Sequence, residues 1–256
     1  YTSKSTDFYS KAQAIISKRL SLLSPSSPIE PENFFPADLA QEKAIEGIAD
    51  SLKDRHREGS GRATRAGDDV TRYARPEYIR LLGKSAHTYS YAGFKSLVDL
   101  SSGIIRWLLE PVSIMYSEST TRCDGKVLFI PPGLQDKVIK KWSLDFYEVD
   151  LKKLDSKLKC RADDLSDAAK LRNLIDAIGG LFQLILKSER LSERRIFTFM
   201  LTEDPSDELA GVLDLGVRHG YFFKSSVGSK EGYGRNSRYS LSRRLGPYFK
   251  LDVSGF

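Results

Sequence analysis

The chain has 256 residues, 40% of them hydrophobic and 29% charged, with a formal net charge of +6. That length and composition suit one large or two small packed domains. They exclude a membrane-spanning chain, since no apolar run approaches the roughly 18 residues a span needs. Two cysteines, Cys123 and Cys160, fit neither a disulfide framework nor a Cys-rich zinc site, so reduced thiols and a cytoplasmic location are expected. No signal peptide is visible. The first residue is Tyr1, in a stretch that already reads as mid-domain, so the chain is expected to be a piece of something longer.

Residues 6–23 place Phe8, Ala12, Ile15, Ile16, Leu20 and Leu23 on one helical face. Asp7 suits the positive start of that helix. The Ser/Pro-rich stretch 24–36 excludes a continuous helix. A second helix over about 37–53 turns Leu39, Ile45, Ile48 and Leu52 inward, with Asp38 near its start. Residues 54–75 are polar, basic and Gly-containing, and they read as a long surface loop. A short helix over 76–83 closes at Gly83. Two helices broken near Ser101–Gly103 follow, carrying Phe94, Leu97 and Leu100, then Ile105, Leu108 and Met115.

After a short apolar run ended by a Pro pair, the next helix carries Val138, Ile139, Trp142 and Phe146 inward. Residues 165–188 are strongly helical, with Gly179–Gly180 as the place where the helix would bend. Residues 194–201 read as a short strand, and Asp204-Pro205-Ser206 is a helix-start signal.

The clearest functional signal lies in residues 205–256. An amphipathic helix, a strand, a Gly-rich basic tip and a second strand follow in the order of a winged helix. Between Arg218 and Lys250 there are eight Lys/Arg and one acid, Glu231, a footprint that attracts a phosphate backbone. Gly228, Gly232 and Gly234 let the tip turn without steric cost. Lys224, Lys230, Arg235, Arg238, Arg243 and Arg244 are the candidate phosphate contacts, with Tyr233 and Tyr239 available to pack on sugar or stack. A wing reaches the minor groove while the preceding helix can enter the major groove. That helix, about 207–219, offers no Asn or Gln for base edges. The expected partner is duplex DNA. The alternative is a module that binds a partner protein or a second copy, its basic hairpin merely solvated.

Other chemistries find less support. GSGRATRAG lacks the lysine of a G-x-x-x-x-G-K-[ST] phosphate loop, so ATP is not expected to be held that way by this chain. His56, His87 and His219 are far apart and no C-x-x-C accompanies them, so no metal site is expected. No nucleophile elbow or catalytic cysteine signature occurs, and no catalytic residue is assigned. Asp68–Asp69 and Asp163–Asp164 keep a metal-dependent nuclease as a further alternative. In SSGIIRWLLE, Arg106 on a first helical turn can present a cation to a phosphate held by another domain. It can equally lie beside Trp107 or pair with Glu110.

Taken in order, several segments resemble ATPases related to the origin recognition complex, the ORC-type AAA+ clade, prokaryotic members included. They are YTSKSTDFYSKAQAIISKRL, FFPADLAQEKAIEGIA, YAGFKSLVDLSSGIIRWLLEPVSIMYSE, IPPGLQDKVIKKWSLDFYE and RYSLSRRLGPYFKLD. The first is similar to the box VII helix after sensor 1, and the next two to the helical lid. The resemblance implies that Gly103–Arg106 matches the sensor 2 G-x-x-R, with Arg106 sensing nucleotide phosphates. It also implies that Arg19 is a candidate for the box VII arginine, a residue that commonly reaches the nucleotide of a neighbouring subunit, with a homo-oligomer or a partner protein left open. ATP and Mg are implied for the whole protein, held by Walker motifs upstream of Tyr1, with no cofactor and no ATPase activity in this chain alone. The expected fold class is mainly α: a helical AAA+ lid-like bundle over 1–120, a linker helix region over 121–160, and a winged-helix domain with a small β-hairpin over 161–256.

Overall fold

The computed structural model describes residues 2–23, 28–58, 63–83, 87–122, 127–157, 165–188, 196–201, 203–228 and 235–254. It is mainly helical with one three-stranded antiparallel sheet. The chain divides into two compact units, residues 1–142 with 252–256, and residues 143–251. Among the described residues no helix is long and apolar enough to cross a membrane.

The first unit opens with α1 (Thr2–Leu23), whose Ala12, Ile16 and Leu20 are buried at helical spacing. The one-turn helix α2 (Pro31–Phe34) starts at a proline, whose missing N–H costs nothing at that position. α3 (Leu39–Glu58) is capped by Asp38, whose carboxylate accepts from Ala40 N and Gln41 N at 3.1 Å each. Leu39, expected to point inward, is 73% exposed beside that cap.

The stretch expected as a surface loop is a correction. α3 continues to Glu58, and α4 (Ala63–Leu82) fills most of the remainder with Pro76 inside it. Ala74, Pro76 and Ile79 are buried in the second half of α4, and Arg75 reaches Glu42 of α3 at 2.6 Å. Burial of these apolar residues and the ion pair to α3 outweigh the polar composition that suggested a loop.

α5 (Phe94–Leu100) and α6 (Ile105–Arg122) are broken where expected, at Ser102 and Gly103, both in the left-handed region with φ of 52° and 82°. Gly tolerates such a φ freely, and Ser only at some strain. Phe34, Phe35, Tyr91, Phe94, Leu108 and Met115 form the centre of this core. Two buried glutamines tie the connecting segments to it. Gln135 donates to Pro36 O (3.0 Å) and Ile130 O (2.8 Å) and accepts from Gly93 N (2.9 Å). Gln41 bonds both backbone groups of Ser90, at 2.9 and 2.8 Å. These amides satisfy backbone groups that burial would otherwise leave orphaned.

α7 (Pro132–Asp145) buries Val138, Ile139, Trp142 and, in the π-helical turn that follows (Phe146–Asp150), Phe146, as the periodicity predicts. In the second unit α8 (Leu151–Lys157) precedes α9 (Asp167–Lys187), capped by Ser166 accepting from Ala169 N at 3.0 Å. α9 runs through Gly179 as one helix. The glycine serves close approach instead: a Cβ there would lie 2.5 Å from the Phe249 ring. β1 (Thr198–Met200), α10 (Asp207–Arg218), β2 (Phe222–Gly228) and β3 (Arg235–Leu241) follow, in sheet order β1-β3-β2. A 3-10 turn (Arg243–Leu245) leads into the short helix α11 (Gly246–Phe249).

Candidate nucleic-acid interface and phosphate-sensing arginines

The register of the hairpin fixes which side chains share a face. Lys224 pairs with Tyr239 and Ser225 with Arg238, and side chains alternate along a strand. Lys224 therefore stands on the face of Phe222, Tyr239 and Leu241, which are buried, while Arg238 stands on the opposite face. The aromatic face is packed: Phe199 of β1 stacks on Tyr239 at 5.5 Å and meets Phe222 edge-on at 5.7 Å. Beyond it Lys224 is exposed, its ammonium 5.7 Å from the Tyr239 ring centroid, close enough for a cation–π contact. On the other face the half-buried Arg238 donates from Nε to Ser225 Oγ at 3.3 Å, while that hydroxyl donates to Arg238 O at 3.3 Å.

Towards its outer end the ribbon becomes slim and polar. Ser226 pairs with Ser237, Val227 with Asn236 and Gly228 with Arg235. Ser226, Asn236 and Ser237 are exposed. They are hydrogen-bonding groups beside the cations that the charge count alone did not bring out; the run Lys224-Ser225-Ser226 was their signal. Lys230 and Tyr233 lie outside the described residues, and for Arg235 only the backbone at the start of β3 is described.

The two arginines after the hairpin differ from this. Arg244 is 6% exposed, with its guanidinium 4.3 Å from the centroid of the Phe146 ring. Phe146 in turn stacks on Tyr221 at 4.4 Å, and the Tyr221 hydroxyl donates to Phe146 O at 3.2 Å. Burial is the main cause that pushes the Tyr221 hydroxyl well above its ordinary pKa, so it stays a donor. Arg244 thus belongs to the packed interior of this unit and cannot reach a phosphate without leaving it. Arg243 is half-buried and also partnered.

α10, the helix before the hairpin, packs through Val212, Leu213, Leu215 and Gly216. Gly216 is required there, since a Cβ would lie 2.5 Å from the Phe222 ring and 3.0 Å from Leu171. Its exposed stripe is Asp207, Gly211, Asp214 and Arg218, with Glu208 on the flank paired to Lys170 at 2.7 Å. That lysine holds the Glu208 carboxyl below its usual pKa.

In the first unit Arg106 is exposed on the first turn of α6, directly after the Ser102–Gly103 break. Arg19, exposed on α1, borders a cleft of about 210 Å³ whose other wall includes Leu109, Val112 and Tyr116 of α6. The helices that carry Arg19 and Arg106 therefore border one cleft, although neither residue was linked to the other by spacing. A second cleft, about 240 Å³, is lined by neither arginine. Its polar groups are engaged with one another: Arg75 donates to Glu42 (2.6 Å) and Tyr89 Oη (2.9 Å), Tyr9 to Glu32 (2.6 Å), and Lys95 to Asp99 (3.0 Å). Among the described residues no three His, Cys, Asp or Glu side chains gather as metal ligands would.

No curated protein and no solved structure gives a significant match. The family model described as ORC-CDC6-like matches residues 55–256, a span that includes the Gly103–Arg106 break, the sheet and its hairpin. On that match the chain belongs to the ORC-CDC6-like family of AAA+ proteins.

Proposed function

We propose that residues 143–251 form a winged helix that grips duplex DNA through the β2–β3 hairpin. The element order α9, β1, α10, β2, β3 supports a winged helix, with β1 completing a three-stranded sheet beside the hairpin. The observation that carries the DNA reading is the placement of Lys224 and Arg238 on opposite faces of one ribbon. A ribbon with cations on both faces can meet both phosphate rows that wall a groove. Its polar serines and Asn236 supply neutral donors of the kind that contact phosphate oxygens.

The lid reading belongs to the same proposal. Arg106, on the turn after a G-x-x-R break, would touch the phosphates of ATP held with Mg by an AAA+ core. Arg19 would act from the neighbouring helix towards the nucleotide of another subunit. This chain alone would then bind DNA without hydrolysing ATP. Fluorescence anisotropy with a labelled duplex tests the DNA reading: binding should be present at low salt and fall steeply as salt rises. Absence of binding at low salt would overturn it.

One observation favours a second reading, a protein-interaction module. Leu181 and Leu184 of α9 are 52% and 68% exposed one turn apart, an apolar pair of a kind that contacts between proteins use. Light scattering across a concentration series separates the two, since self-association that Leu184→Glu abolishes would support this second reading.

A further inference from the structure

We infer that α10 stays out of the major groove and that the hairpin leads the contact with DNA, so that the sequence of the duplex is not read by this helix. The inference rests on the DNA reading above and concerns how the DNA is approached. A recognition helix enters a groove by its N-terminal residues. In α10 that end carries Asp207 and Glu208, and the outward stripe continues through Gly211 to Asp214. The only outward cation on the helix is Arg218, in its last turn, beside the start of β2.

Duplex DNA carries one negative charge per roughly 1.7 Å of axis. A helix in the major groove lies between two phosphate rows in a channel about 12 Å wide. At that distance screening by about 8 Å of Debye length removes only part of the repulsion. Carboxylates accept hydrogen bonds and donate none, so they cannot answer the guanine N7 and O6 acceptors or thymine O4. Glu208 is already engaged by Lys170 at 2.7 Å, which neutralises one acid and leaves Asp207 and Asp214.

The charge gradient runs the other way at the far end. Arg218, Lys224 and Arg238 follow one another from the end of α10 into the hairpin. Duplex phosphates are drawn there, and the acidic end of α10 is held off. Hydrogen bonds from Ser226, Asn236 and Ser237 would position the backbone without reading bases.

The experiment compares two altered chains with the unaltered one, on a labelled duplex over a series of salt concentrations. Asp207→Asn/Glu208→Gln/Asp214→Asn should leave Kd within about twofold and the salt slope unchanged, whereas Lys224→Ala/Arg238→Ala should weaken binding by about tenfold or more. Duplexes of unrelated sequence should compete equally. Tightening of about tenfold in the neutralised chain would place α10 against phosphates and overturn the inference. Asp214→Asn alone, which leaves the helix start and the Lys170 pair intact, must agree in direction and guards against a folding effect. Absence of binding by the unaltered chain would sink the DNA reading itself, and this inference with it. Tightening by the neutralised chain would sink the inference alone.

Discussion

Arg238 and Arg244 belong to one basic stretch and meet opposite surroundings. Arg238 lies half-buried on β3, the central strand of the sheet, on the face opposite Lys224 and hydrogen-bonded to Ser225. Arg244, just past the same strand, is folded over Phe146 in the interior of the unit. The difference comes from geometry, not from charge. In the hairpin, period-two alternation gives every second side chain to solvent. At Ser242 and in the 3-10 turn that follows, Ser242, Arg244 and Leu245 are drawn inward. A count of basic residues treats the two as equal members of a phosphate-binding set, yet Arg244 is packed in the interior while Arg238 is only half-buried.

The largest effect that sharpens this contrast is on stability. Arg244→Ala should lower the unfolding free energy by about 3 kcal/mol, through lost packing on Phe146 and a desolvated cation–π contact. Thermal denaturation checks it, and an unchanged midpoint would break the contrast. Next, Gly216→Ala should cost about 2 kcal/mol, because its Cβ must displace the Phe222 ring that anchors β2. Chemical denaturation measures it; a neutral outcome would show that the base of the hairpin is loosely held.

Arg238→Ala, by contrast, should leave the denaturation midpoint nearly unchanged, since exposed or half-exposed surface contacts contribute at most about 0.5 kcal/mol. Its effect should fall on DNA affinity instead. Between these in size lies an effect at the start of α10. Ser206→Ala removes the side-chain oxygen that accepts from Leu209 N at 3.3 Å and should cost about 1 kcal/mol, read from the same denaturation curves.

Periodicity made most of the helices legible. Ala12, Ile16 and Leu20 mark the inner face of α1, and Val138, Ile139, Trp142 and Phe146 that of α7 and its continuation, because burial of an apolar stripe decides both. The break at Ser102–Gly103 was legible from glycine chemistry. α4 was not: its polar composition and Gly67 suggested a loop, while Ala74 and Ile79, which are buried, lie in its second half. Leu39 misled because a residue beside an N-cap is placed by the cap and not by the stripe. Within the candidate interface, the cations were legible as charges. Their faces were not, since a face is set by cross-strand register, and register depends on contacts between β1, β2 and β3 that no single segment contains.

On the proposed function, duplex DNA is held by cations on both faces of the β2–β3 ribbon. The most direct test of that claim is the salt dependence of duplex binding by the unaltered chain and by Lys224→Ala/Arg238→Ala, measured by anisotropy. Loss of two phosphate contacts should reduce the slope of log K against log salt by about 1.8 and weaken binding at every salt concentration. An identical slope and affinity in the two chains would contradict the claim.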